Sequence, residues 1–140
     1  MKRVFADAHF YIAILSRRDN DRERAIRAFA EGQFTEVVTT VGILVEVADG
    51  MASTAHRATC ACFLEKLRNP TVPIHPITTV ISLKDELLDR AMALYAKRED
   101  KEWSLTDCIS FVVMSDEGLT DVLTGDHHFE QAGFTALMRQ

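Results

Sequence analysis

Three carboxylates, Asp7, Glu46 and Asp107, occupy apolar segments where an anion is costly, and a fourth, Asp126, shares their lack of a neighbouring cation. Asp7 lies in V-F-A-D-A-H-F-Y-I-A-I-L, Glu46 in V-G-I-L-V-E-V-A, Asp107 in L-T-D-C-I-S-F-V-V-M and Asp126 in T-G-D-H-H. Taking an ionised carboxylate out of water is unfavourable unless a cation pairs with it. None is close in sequence: no Lys or Arg falls between Arg3 and Arg17, between Arg27 and Arg57, or between Lys101 and Arg139. If the four acids meet in space, two of them ~4 Å apart repel by roughly 4 kcal/mol at an effective dielectric of about 20. Such a site must take up protons or bind cations. An all-oxygen donor set selects Mg²⁺ or Mn²⁺, which keep part of their water. A metal-bound water is a nucleophile at neutral pH and the ion stabilises charge on a phosphoryl oxygen, so the chemistry in view is phosphodiester hydrolysis.

Each acid except one also has a purely structural reading. Asp7 could cap the helix that follows it, Asp107 could close a capping box with Ser104 in S-L-T-D, and Asp126 could be a turn or cap residue. Taken singly, these readings are the simpler ones. Glu46 has none, because Ile43, Leu44, Val45, Val47 and Ala48 leave it little polar helix face. Thr124 could bond within the acidic group or to backbone. Asp49 and Asp121 are read as solvated acids, either able to replace Asp126 in a two-metal arrangement. His127 and His128 are left outside the set, because adjacent side chains point in different directions and loop histidines are commonly exposed. Arg17, Arg18, Arg22, Arg24 and Arg27 either steer a polyanionic substrate or form a solvated helix face, with the solvated face slightly favoured. Trp103 fits a hydrophobic staple better than a base-stacking platform.

The elements that must position these residues follow from a chain of 140 residues, length for one domain, 1–140, with one core. Apolar residues make up 47%, enough for that core, and the net charge of −5 argues against a broad basic surface for nucleic acid. No charge-free stretch approaches the ~18 apolar residues of a membrane span, and no secretory cleavage site follows the first apolar run, so a cytoplasmic protein is expected. Cys60, Cys62 and Cys108 lack zinc spacing and are read as reduced core residues. Apolar periodicity places strands at 3–7, Val37 to Thr40, Ile74 to Ile77, Asp121 to Thr124 and Phe134 to Leu137. Helices are placed at 8–16, at 19–32 between an Asp19 or Asn20 cap and Gly32, at 41–52, 55–68, around Leu83 to Tyr95, at 105–117 and at 127–132. Strands alternating with helices imply an α/β fold with a parallel sheet covered on both faces, whose functional groups gather at the carboxyl ends of the strands.

With these residues in view the sequence resembles a PIN-domain ribonuclease, and within that group the toxin subunits of VapBC toxin-antitoxin pairs. The resemblance covers the whole chain. It rests on the first strand ending in Asp7, on T-T-V-G-I-L-V-E-V-A-D-G, on W-S-L-T-D-C-I-S-F and on V-L-T-G-D-H-H-F-E-Q-A-G-F. It implies a three-layer α/β/α sandwich with a five-stranded parallel sheet and Mg²⁺- or Mn²⁺-dependent cleavage of RNA. A homodimer and a cognate antitoxin are implied too, and the tetrad roles carry over to Asp7, Glu46, Asp107 and Asp126. Asp7 and Asp107 are assigned as direct metal ligands, Glu46 as ligand or orienter of a metal-bound water, and Asp126 as ligand or water-mediated partner. A haloacid-dehalogenase-type phosphotransferase would need a second Asp where His9 stands, and no glycine-rich phosphate loop occurs. The competing reading is a PIN-like module that binds RNA or protein without turnover.

Overall fold

A computed structural model describes residues 2–17 and 19–140 of the chain. Arg18, one of the five arginines noted above, lies outside the described residues. The elements run β1 (Arg3–Ala6), α1 (Ala8–Leu15), α2 (Arg22–Gly32), β2 (Glu36–Thr40), α3 (Val41–Gly50), α4 (Thr54–Arg68) and β3 (Ile77–Ile81). They continue with α5 (Asp85–Lys97), α6 (Leu105–Glu117), β4 (Asp121–Leu123), α7 (His127–Gln131), β5 (Thr135–Ala136) and a closing 3₁₀ turn, Leu137–Arg139. All five strands form one sheet in the order β3-β2-β1-β4-β5, every pair parallel. This is the α/β sandwich expected from the sequence.

Burial explains the central strands. Val4, Phe5 and Ala6 of β1 and Val37, Val38, Thr39 and Thr40 of β2 are all buried, without the in-out alternation of a sheet wetted on one side. Parallel crossovers are right-handed, which carries α1 to α4 over one face and α5 to α7 over the other. Most helix contacts agree, with α1 on α2 and α3, α3 on α4, α5 on α6 and α6 on α7, while α3 also meets α6. The chain first builds outward from β1 through β2 to β3, then returns to lay β4 on the opposite side of β1. A switch point therefore lies between β1 and β4, and ligand crevices form outside the carboxyl ends of strands at such points.

Several boundaries differ from the sequence reading. The third strand is Ile77–Ile81, not Ile74 to Ile77, because Pro73 and Pro76 have no N–H for a ladder while I-T-T-V-I pairs in register with Glu36–Thr40. Helix α2 begins at Arg22, since Asp19 uses its carboxylate on the Asp21 amide at 2.8 Å and so shapes a turn before the helix. Helix α2 does close at Gly32, as the sequence suggests. Gly32 is the last helical residue, and Gln33 takes the left-handed position at φ 47°. The last strand is only Thr135–Ala136, overtaken by the 3₁₀ turn. Cys60 and Cys108 are buried, whereas Cys62 is exposed on α4 and is no core residue. Trp103 is buried, donates to Gln131 Oε1 at 3.0 Å and meets the Phe111 ring edge-on, so it packs in the core.

Gly32 also has a packing reason. A Cβ built there would overlap the Phe34 ring, which is buried against Phe29. Overpacking of this kind costs about 1–3 kcal/mol. Gly32→Ala should lower stability by that amount in urea unfolding with an unchanged slope, and an unaltered midpoint would mean the Phe34 ring yields freely.

Candidate active site

The four acids come to the switch point from four separate elements. Asp7 directly follows β1, and its amide still donates to Leu123 O at 3.2 Å, so its position is held by the sheet. Glu46 projects from α3, whose start is fixed by Thr40: its hydroxyl accepts from the Ile43 amide at 3.2 Å. Asp107 is in the first turn of α6, where the capping box with Ser104 is complete: Asp107 N donates to Ser104 Oγ at 3.0 Å and Ser104 N to Asp107 Oδ2 at 3.1 Å. Asp126 follows β4 and caps α7 by accepting from the His128 amide at 2.9 Å. The structural readings of Asp107 and Asp126 are thus correct, and they coexist with convergence.

A chain of hydrogen bonds joins the group. Thr124, fully buried at the end of β4, donates to Asp7 Oδ2 at 2.7 Å and accepts from the Asp126 amide at 3.1 Å. His128 Nδ1 lies 3.0 Å from Asp107 Oδ2 and 3.5 Å from Asp126 Oδ1. Among the described residues no Lys or Arg pairs with Asp7, Glu46, Asp107 or Asp126; the only basic partners are the imidazoles of His127 and His128.

The electrostatics follow from burial and mutual repulsion. Burial pushes the Asp7 carboxyl up to about 6; the Thr124 hydroxyl opposes this, while the charges of Asp107 and Asp126 add to it. Burial also pushes Glu46 up to about 7, reinforced by Asp7, Asp107, Asp126 and Asp49. Asp107 is raised by burial and by Asp126, against the Ser104 amide and His128. Asp7, Glu46 and Asp107 are therefore each raised by at least one neighbouring acid, and the group favours protons or a cation. All four offer carboxylate oxygen, the donor set of a hard divalent ion.

Of the spare acids, Asp49 is exposed but close enough to raise Glu46. Asp121 opens β4 and so stands at the opposite end of that strand from Thr124, away from the site. Two histidines escaped the sequence reading. His128 is only 19% exposed at its side chain, not a solvated loop residue, because the α7 cap turns it back onto Asp107. His9 accepts from the Gly125 amide at Nδ1, 2.8 Å, which leaves its proton on Nε2 to donate to Asp21 Oδ2 at 2.9 Å. It ties the first turn of α2 to the turn that carries Asp126. A Cβ at position 125 would overlap the His9 ring, so only glycine admits this contact. The T-G-D spacing after a strand was the available signal for this turn.

The fold and crevice define a parallel α/β protein with its uncompensated acids at the switch point of the sheet. The PIN domain pattern matches residues 4–135, and the chain belongs to that family. No curated protein matches the sequence. Among solved structures the chain is similar to VapC20 of Mycobacterium tuberculosis, described as a sarcin-ricin loop cleaving toxin, with TM-score 0.83 and 23% identity over 94% of this chain and 96% of that one. It is also similar to FitAcB from Neisseria gonorrhoeae, with TM-score 0.64 and 17% identity over 95% of each chain. FitAB bound to an IR36 DNA fragment gives TM-score 0.66 and 16% identity, over 95% of this chain and 92% of that one. At such identities the likeness is one of fold. No described helix is long and apolar enough to cross a membrane.

The raised carboxyls have a consequence for the metal-free protein. Asp7 and Glu46 ionise near 6 and 7 instead of their ordinary 3.8 and 4.5, so the folded chain holds more protons than the unfolded one across that window. Their contribution to stability is complete below about pH 4 and is lost as pH rises through 6 and 7. Asp7→Asn should match the wild type near pH 4 in chelator and exceed it above pH 7 by on the order of 2–3 kcal/mol, read from thermal unfolding. A variant destabilised equally at every pH would contradict the repulsion.

Proposed function

We propose that this protein is a metal-dependent endoribonuclease that hydrolyses RNA phosphodiester bonds, and that it is the toxin of a toxin-antitoxin pair. The observation that carries this is the meeting of Asp7, Glu46, Asp107 and Asp126 at the switch point with no Lys or Arg partner among the described residues. Membership of the PIN domain family and a fold shared with a toxin described as cleaving the sarcin-ricin loop support the reading.

The donor set suits Mg²⁺ or Mn²⁺, held by Asp7 and Asp107 directly, with Glu46 as ligand or orienter of a bound water and Asp126 as ligand or water-mediated partner. Such an ion supplies an activated water and stabilises charge on the phosphoryl oxygen. The protein's own residues do the rest. Thr124 holds the Asp7 carboxylate in one orientation through its 2.7 Å hydrogen bond. Glu46, raised in the metal-free protein by burial and by the neighbouring acids, would be held ionised by the cation and so orient the attacking water. Burial of Asp7 and Asp107 excludes competing water. Exposed Arg24 and Arg27, on the helix that His9 ties to the site, are available to RNA phosphates. The RNA substrate, an antitoxin partner, a homodimer and a cytoplasmic location complete the proposal.

Asp7→Asn should lower cleavage of RNA in Mg²⁺ or Mn²⁺ by about a hundredfold or more while the fold persists, and chelator should abolish wild-type cleavage. Retained RNA binding with no cleavage in any metal would instead identify a binding module without turnover. Mn²⁺ at about a hundred times its dissociation constant should stabilise the wild type by about 2.7 kcal/mol, seen as a rise in Tm. A flat response up to millimolar Mn²⁺ would remove the metal from the account. Induced expression should arrest growth, with relief by the neighbouring antitoxin; harmless expression would overturn the toxin assignment.

A further inference from the structure

At the rim of the crevice two imidazoles stand beside one carboxylate oxygen: His128 Nδ1 is also hydrogen-bonded to Asp107 Oδ2 at 3.0 Å, whereas His127 only approaches Asp126. His127 Nδ1 lies 3.6 Å from Asp126 Oδ1 and His128 Nδ1 lies 3.5 Å from the same oxygen, with ring centroids 4.5 Å apart. A separation of 3.6 Å is too long for a hydrogen bond. Yet both imidazoles turn the same nitrogen toward one carboxylate oxygen, and the three donor atoms all lie within 4.8 Å of one another. Ligands held ~2.0–2.1 Å from a tetrahedral ion stand about 3.3–3.4 Å from each other, close to the two distances observed. Two of the three edges of the donor triangle thus have the spacing of ligands that share an ion. Its donors are side chains, two of them imidazoles, and the short helix α7 only sets their positions.

We propose that Asp126, His127 and His128 form a binding site for a late divalent transition-metal ion of the Zn²⁺ type, separate in chemistry from the all-oxygen site beside it, and that its occupation inhibits cleavage. Imidazole nitrogen favours Zn²⁺, Co²⁺ or Ni²⁺, whereas Mg²⁺ prefers oxygen and keeps its water. Three protein donors leave one position open, the count found in non-structural zinc sites. The Asp107 carboxylate, 3.0 Å from His128 Nδ1, is adjacent to that ion. Occupation withdraws Asp126 from the catalytic group and places a second positive charge next to Asp107, so it opposes binding of the hydrolytic cation. The inhibition rests on the nuclease reading. The binding does not.

Cobalt(II) is the probe, since tetrahedral coordination gives it strong visible absorption. Titration of the full chain with Co²⁺ should show one equivalent with the tetrahedral spectrum, displaced by Zn²⁺. His127 is 59% exposed at its side chain, so His127→Ala should fold normally by circular dichroism, yet weaken Co²⁺ uptake by roughly a hundredfold. Asp7→Asn, which removes a residue of the proposed hydrolytic site but none of these three donors, should take up Co²⁺ unchanged. Equal uptake by His127→Ala and wild type, or an octahedral spectrum, would overturn the site, because the ion would then sit among carboxylates and water. Zn²⁺ added to the Mg²⁺ cleavage reaction should inhibit the wild type and spare His127→Ala; equal inhibition of both would overturn the regulatory part. A protein that cuts no RNA yet binds Co²⁺ through His127 refutes the nuclease and leaves the site standing.

Discussion

Negative charge without a counterion at one edge of the sheet is the constraint on which the site depends. The two edges differ sharply. At the amino ends of the strands, Arg3 Nε meets Glu36 Oε1 at 2.6 Å and Arg3 Nη2 meets Glu117 Oε1 at 2.8 Å, while the Thr79 hydroxyl donates to Glu36 Oε2 at 2.7 Å. Those contacts, the Thr79 hydroxyl foremost, hold Glu36 below the usual carboxylate range. At the carboxyl ends Asp7, Glu46 and Asp107 are all pushed the other way, by burial and by one another. The same sheet thus stabilises paired acids at one end and confines unpaired acids at the other. A protein gains nothing in stability from the second arrangement, which is why strained electrostatics of this kind indicate a functional site.

The fold makes that confinement possible by topology. Reversal of strand order on either side of β1 opens the crevice, and the residues after β1 and β4 lie at its mouth. Thr124 then couples the two strands chemically by bonding Asp7 and receiving the Asp126 amide. His9 secures the turn from behind, through Gly125, and links it to α2. On the far side Ser104 sets Asp107 with a capping box, so a common helix-start device orients one of the buried acids. Asp7, Asp107 and Asp126 are each fixed by a local hydrogen bond that needs no metal, which preorganises that part of the group.

Much of this was legible in the residues. The long apolar runs of a parallel sheet identify β1 and β2, and the capping signal S-L-T-D places Asp107 correctly. The absence of nearby Lys and Arg carried through to three dimensions among the described residues. What escaped depended on tertiary neighbours. The third strand slid past Pro76 because pairing with β2 outweighed its own apolar pattern. Gly32 marks the end of α2 as read, but the Phe34 ring that excludes a side chain there was not visible. His128 read as exposed, since nothing local reveals that the Asp126 cap turns it toward Asp107. The role of His9 arises from contacts with Gly125 and Asp21, both invisible to periodicity.

The most direct test of a cation cup is crystallographic: anomalous diffraction at the manganese edge from crystals grown with Mn²⁺. An ion bound about 2.1 Å from carboxylate oxygens of both Asp7 and Asp107 is the expected result. Ordered manganese elsewhere with this crevice empty, or no ordered manganese at millimolar concentration, would contradict it.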